Sequence, residues 1–252
     1  MTRKKVLICA GTLAGTLALA STFGFAAASE GPSITIDLGG KGRGQTAVVI
    51  QVLALLTVLS MAPAMLIMMT SFTRILIVLS FLRQALGTQQ VPPNQILISL
   101  AMFLTFFVMA PVWQTIWADA VQPLMAEQIS QEDAWAKGMA PIQSFMLRQV
   151  REKDLELFVE LAKIPKPDSP AALPIHVIVP SFILSELRIA FQIGFLIYIP
   201  FLIVDMVVAS VLMSMGMMLL PPVVISLPFK LILFVLADGW YLVVGSMVKS
   251  FQ

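Results

Sequence analysis

Charge is what this sequence has least of. Only 12% of its 252 residues are charged while 58% are hydrophobic, and the mean hydropathy is +0.92. That composition excludes an ordinary soluble domain and places the chain in a membrane. Histidine occurs once, at His176, and cysteine once, at Cys9. Paired histidines at metal spacing, a disulfide and a thiolate metal site are therefore excluded. A glycine-rich phosphate loop and a Gly-x-Ser-x-Gly turn are also missing, so the sequence signals no enzymatic chemistry and no cofactor. The run Gly39-Gly-Lys-Gly-Arg-Gly44 lacks the spacing of a phosphate loop and precedes an apolar span, so it reads as flexible linker.

What is present begins with a targeting pattern. Residues 1–28 carry Arg3, Lys4 and Lys5, then an uncharged apolar run from Val6, then Ala26-Ala27-Ala28. This is the layout of a secretory signal with a small-residue cleavage site; an uncleaved anchor is the alternative. Cleavage takes Lys+Arg from 16 to 13 while Asp+Glu stays at 14, so the net charge moves from +2 to about −1. The apparent basicity disappears, and no nucleic-acid partner is implied. Residues 29–46 then form a periplasmic linker.

Hydropathy divides the rest into four apolar regions, each long enough for the roughly 20 residues a bilayer core requires. They run from about Ala47 to Met69, Ile96 to Trp113, Ile189 to Met213 and Met217 to Val248. Residues 47–113 make an N-terminal apolar pair, 114–174 a polar helical segment and 175–252 a set of C-terminal apolar hairpins. With the amino terminus outside, a loop carrying Arg74 and Arg83 faces the cytoplasm, as positive charge does. The polar segment and the carboxyl terminus then face the periplasm. Within that segment Ser130-x-x-Asp133 resembles a capping box, Gly138 reads as a helix stop and Pro141 as the start of the next helix. Ile142, Phe145, Met146 and Gln149 share one helical face, and Leu155, Phe158, Leu161 and Ala162 another. Such half-apolar helices need a partner surface, either this chain's own spans or a neighbouring subunit.

The apolar regions hold prolines at 63, 111, 200, 221, 222 and 228, which free backbone carbonyls at membrane depth and call for protein neighbours or a wet cavity. Glu186, Arg188, Asp205, Lys230 and Asp238 lie in or beside the last two regions. Each costs about 2.5–3.5 kcal/mol in hydrocarbon and must pair or line a polar space. Asp205 or Glu186 reads either as a proton carrier or as one half of an ion pair holding helices in register. The pairings considered are Asp205 with Lys230 and Glu186 with an arginine of another subunit. Four methionines, Met213, Met215, Met217 and Met218, crowd a turn followed by Pro221-Pro222. Unbranched and polarizable, they suit a deformable constriction; the plainer reading is packing at a turn between membrane helices.

The motifs themselves carry a resemblance. Met69-Thr-Ser-Phe-Thr-Arg74, Leu82-Arg83 with Ala85-Leu-Gly-Thr88, and Pro92-Pro-Asn-Gln95 are followed by Phe145-Met-Leu-Arg-Gln149, Ser185-Glu-Leu-Arg188 and Pro200-Phe-Leu-Ile-Val-Asp205. Pro228-Phe-Lys230 and Asp238-Gly-Trp240 complete the series. In this order, over about residues 46–252, the chain resembles the FliP family of flagellar type III export-gate proteins, to which an injectisome family is homologous. The resemblance implies an all-α, polytopic membrane protein with proline-broken helices and helical hairpins, packed in a helical oligomeric export gate. It implies a homo-oligomer, a pentamer, with FliQ-like and FliR-like gate subunits and other export-apparatus membrane proteins. Unfolded flagellar proteins pass through it at the basal body in the inner membrane, and much of the assembly is lifted out of the bilayer plane. Met213, Met215, Met217 and Met218 would form its pore gasket, Glu186, Arg188, Asp205 and Lys230 its buried charges, and Phe145 and Phe158 its subunit packing. A non-pore scaffold and a small-solute secondary transporter are the rival classes.

Overall fold

The computed structural model describes residues 44–88, 90–165, 169–217 and 221–251. The signal expected over residues 1–28 and most of the 29–46 linker lie outside the described residues. The chain divides into two compact units, residues 1–56 and 57–252. In the first, the described residues are the opening turns of helix α1 (Gly44–Met68).

All regular structure described in the second unit is helical. Helix α2 (Phe72–Leu86) ends where Gly87 takes the left-handed conformation, φ 79°, which a residue without Cβ adopts freely. The turn that follows is pinned by Arg83, whose Nη1 donates to the Pro92 carbonyl at 3.3 Å and to Asn94 Oδ1 at 2.5 Å. Helix α3 (Asn94–Ile116) therefore runs back along α2 as a hairpin. It continues through a π-helical turn (Trp117–Val121) into α4 (Gln122–Met125), making 32 residues in all. Helices α5 (Gln131–Gln149) and α6 (Glu152–Leu161) and a 3₁₀ turn (Pro170–Ala172) lead to α7 (Ile175–Ser214), which is 40 residues long. Helices α8 (Pro222–Leu236) and α9 (Gly239–Lys249) return along α7, bent by 64° at Asp238, which sits at φ 49°.

Three expectations from the sequence are corrected. Gly138 does not stop a helix and Pro141 does not start one, because α5 runs through both. A Cβ added at Gly138 would lie 3.7 Å from Ala120 Cβ, so the glycine serves the close approach of α5 to the π-helical turn. The third apolar region begins as a helix at Ile175 rather than Ile189; the charges at 186 and 188 lower the local hydropathy but are neutralised within the fold. Arg74 lies in no loop: it is on α2 and buried. Pro63, Pro111, Pro180, Pro200 and Pro228 sit inside continuous helices, whereas Pro221 and Pro222 begin one. Ser130 caps α5 as expected, its Oγ accepting from Asp133 N at 3.1 Å.

The core gathers in three clusters. Ile142, Phe145 and Met146 of α5 meet Met109 and Val112 of α3 and Val177, Ile178 and Phe182 of α7, so this face finds its partner within the chain. Ile75, Val78 and Leu79 of α2 pack with Leu97 and Ala101 of α3, Ala190 of α7 and Met247 of α9. Leu82, Ala85 and Leu86 pack with Phe201 and Phe234. Two helical stretches, Asn94–Met125 and Ile175–Ser214, are long and apolar enough to cross a membrane, and the bent α8–α9 pair is a third if counted as one. At 1.5 Å per residue α7 reaches about 60 Å, twice the roughly 30 Å of a hydrocarbon core. An upright α7 must therefore project beyond that core.

At Gly194 α7 comes close against α2, and an added Cβ would lie 2.5 Å from Phe81 Cδ2 and 3.0 Å from its Cβ. Gly194→Ala is expected to cost about 1–3 kcal/mol through overpacking. Thermal unfolding in detergent measures it, with part of the loss recovered in the Gly194→Ala, Phe81→Leu double variant. An unchanged melting temperature in the single variant would show that the two helices do not meet this closely.

Candidate functional site

Buried charge ties the helices together at three levels. At the first, Arg74 on α2 and Glu186 on α7 are 1% and 0% exposed. The Arg74 Nε donates to Glu186 Oε2 at 2.8 Å and its Nη2 to Oε1, a bidentate fork. The remaining donors reach Gln149 Oε1 at 3.0 Å and the Ser250 carbonyl and Oγ, both at 3.1 Å. The Phe251 ring lies 3.9 Å from the guanidinium carbon, a cation–π contact, and Gln149 Nε2 donates to the Phe251 carbonyl at 3.3 Å. One arginine thus joins α2, α5, α7 and the residues after α9. Glu186 pairs with an arginine of its own chain, which corrects the expectation of one from another subunit.

At the second level Ser185 Oγ donates to Asp154 Oδ2 at 2.8 Å and accepts from Arg151 N at 3.1 Å, and Arg188 lies 3.4 Å from Asp154 Oδ1. Arg188 is 48% exposed, which corrects its place among the buried charges: its partner Asp154 is buried, at 4%, while the guanidinium reaches that carboxylate from the surface. The Ser185-Glu-Leu-Arg188 motif therefore binds α6 through its outer members and α2 through Glu186. At the third level Lys230 Nζ donates to Asp205 Oδ2 at 2.7 Å and to the Ala85 carbonyl at 3.2 Å, while Ser226 holds Asp205 Oδ1. Ala85 lies in the last turn of α2, where carbonyls lack intrahelical partners and the dipole favours a cation. Lys230 supplies both the donor and the charge. The Asp205–Lys230 pairing is the one considered from sequence. Glu186 and Asp205 are each closed on a cation, and among the described residues no His/Cys/Asp/Glu group could hold a metal ion.

Phe145, expected at a subunit contact, is 4% exposed and packs against Phe182 and Phe251 of its own chain. Phe158 is half-buried against the same cluster. Leu161 is exposed rather than packed. Sequence reading missed Gln149, Ser226, Ser250 and Phe251 as partners of the charges. It also missed the role of Arg74, although an arginine directly before the apolar run from Ile75 to Leu79 calls for a buried counter-charge.

At its far end α7 closes in a Schellman turn. Met217 N donates to the Leu212 carbonyl at 3.0 Å and Gly216 N to that of Met213 at 3.1 Å, with Gly216 at φ 73°. The glycine that interrupts the methionine run is thus the residue that ends the helix. Met213, Met215 and Met217 are all exposed on this turn; Met218 lies outside the described residues. Exposed apolar side chains continue down α7 through Val211, Val207, Met206 and Ile203. Beside them a 430 Å³ groove between α7 and α8 is walled by Val204, Val208, Ile225 and Phe229.

Helical hairpins tied to one another by internal ion pairs, with long apolar faces left uncovered, define a polytopic membrane protein. The comparisons narrow this class. The FliP family profile matches residues 55–247. The flagellar biosynthetic protein FliP of Bacillus subtilis (strain 168) is 60% identical over 202 residues, covering 80% of this chain and 91% of the relative. Its namesake in Caulobacter vibrioides is 55% identical over 227 residues, 90% of this chain and 85% of the relative. That of Aquifex aeolicus is 50% identical over 226 residues, 89% and 93%. The chain belongs to the FliP family.

Proposed function

We propose that this chain is a subunit of the flagellar type III protein export gate in the bacterial inner membrane, at the flagellar basal body. Several copies, five by resemblance, join FliQ-like and FliR-like subunits around a conduit for unfolded flagellar proteins. The work is passage and sealing rather than chemistry. The observation that carries this reading is the α7 end: a glycine-set turn presenting Met213, Met215 and Met217 outward at the tip of a 40-residue apolar helix. A pore wide enough for an extended polypeptide needs a closure that is apolar and deformable, and thioether side chains supply both properties. The uncovered apolar faces of α7 and α8 support the same reading, since such area is covered by lipid or by other subunits.

Extraction from native membranes in mild detergent, followed by mass and composition analysis, tests the proposal. A large assembly with several copies of this chain and two small membrane partners is expected. A monomer or simple dimer would contradict it and favour a transporter.

A further inference from the structure

The residues after α9 form a strap over the Arg74 centre and are its outermost layer. Ser250 is exposed and Phe251 half-buried, whereas Arg74 and Glu186 beneath them are closed off from solvent. The hydrogen bonds divide in the same way. Arg74 Nε and Nη2 serve Glu186 and Gln149, and Nη1 alone reaches Ser250, at its carbonyl and its Oγ. Gln149 Nε2 holds the Phe251 carbonyl through a longer bond, 3.3 Å, and the Phe251 ring covers the guanidinium. Lifting the strap therefore leaves the buried ion pair intact and returns only Nη1 to water.

The ring has a second place to lie. Phe251 is one wall of a 660 Å³ cleft that Phe107, Val108, Phe145, Arg148 and Val248 also line. Arg148 is exposed, and its side chain makes no ion pair or hydrogen bond among the described residues. One guanidinium thus lies under the ring and another borders the cleft beside it, and an aromatic face attracts either. The arm that carries the strap can follow. Helix α9 starts from Asp238, a non-glycine residue in the left-handed region at φ 49°, whose side chain makes no capping bond. Such a residue stores backbone strain. At Gly239 an added Cβ would collide with the Phe234 ring, so the elbow is closed tightly around that ring. Between elbow and strap α9 is a lever of 11 residues, about 16 Å long. On the other side of the elbow α8 is fastened midway by Lys230, and its first residue, Pro222, follows the methionine run in sequence.

From this arrangement we infer that Phe251 is a two-position latch. In one position its ring lies on Arg74 and the strap is fastened; in the other the strap is lifted and the ring lies in the cleft against Arg148. The fastened position, with three more hydrogen bonds, is the major one. The Arg148 contact sets how far the other is populated, since a state gains only by interactions it alone makes. Release lets α9 turn about the Asp238 elbow, and α8, pivoting at Lys230, carries the movement to the methionine turn. That last step rests on the export-gate reading; the two ring positions do not.

The test puts 4-fluorophenylalanine in place of Phe251 in the full-length protein, purified in mild detergent with the subunits that accompany it. Fluorine NMR with saturation transfer detects a minor ring environment at the roughly 0.1–10% population of such states. One minor resonance is expected beside the main one. Arg148→Gln lowers its population about two- to fivefold, the scale of an exposed cation–π contact, and Arg148→Lys restores part of it. Ser250→Ala removes one bond of the fastened position and raises it, while Lys153→Gln, the same charge change at an exposed residue of α6, leaves it unchanged. In cells Arg148→Gln slows flagellar protein export by the same factor, with assembly of normal mass. A single resonance, or a minor one indifferent to Arg148→Gln, would overturn the latch. So would loss of subunits in Arg148→Gln, which would make Arg148 a protein contact. Normal export in that variant within an intact gate would overturn the link to the methionine turn. A minor resonance that follows Arg148 in a protein extracted as a lone monomer would uphold the two ring positions and remove the export-gate reading instead.

Discussion

Arg74→Ala is expected to leave little folded protein in the membrane. The substitution strands the Glu186 carboxylate, 0% exposed, without its counter-charge. Breaking a buried pair in this way costs about 3–5 kcal/mol, a large part of the roughly 5–15 kcal/mol by which a domain is stable. It also removes the bonds to Gln149 and Ser250 and the contact with the Phe251 ring, so α2, α5, α7 and the chain after α9 lose a common anchor. Arg74→Lys is not a remedy, because one ammonium cannot present the planar fork that meets both carboxylate oxygens. Replacing both partners, Arg74→Met with Glu186→Leu, is expected to recover much of the loss, since no buried charge then lacks a partner. Immunoblots of membrane fractions and thermal unfolding in detergent measure these effects. Wild-type abundance and melting temperature in Arg74→Ala would show that the pair does not hold the fold.

Composition and periodicity made much of this architecture legible. The face shared by Ile142, Phe145, Met146 and Gln149 could be read because helical spacing is local, and so could the Ser130 cap. The Asp205–Lys230 pair was readable by elimination, as two opposite charges in adjoining apolar regions need each other. Glu186 was assigned to a neighbour's arginine because Arg74 had been placed in a cytoplasmic loop. The error lies in reading the stretch from Arg74 to Arg83 as a loop, when α2 is the first arm of a hairpin packed parallel to α7. Gly138 was misread for a related reason. A glycine that ends a helix and one that admits another backbone look alike in sequence, and only the approach of Ala120 distinguishes them. Gly216, by contrast, does end a helix, and its left-handed φ accounts for a glycine inside a methionine run. The long α7 was hidden because hydropathy penalises Glu186 and Arg188 whether or not the fold neutralises them.

The methionine turn carries the second large effect. Met213, Met215 and Met217 are held outward by a turn whose geometry belongs to the backbone and Gly216, so their side chains can be changed without disturbing α7. Serine at these positions and at Met218 removes the apolar lining and admits water, and a wetted constriction conducts ions. Leucine keeps the lining apolar but is stiffer than methionine, so it should hold the seal while slowing the passage of cargo. The most direct measurement is ion leakage in cells that carry the intact assembly, comparing wild type, the fourfold serine variant and the fourfold leucine variant. The account predicts a severalfold rise in proton and potassium leak with serine, a tight membrane with leucine, and assembly of normal mass in both. A tight membrane in the correctly assembled serine variant would contradict it.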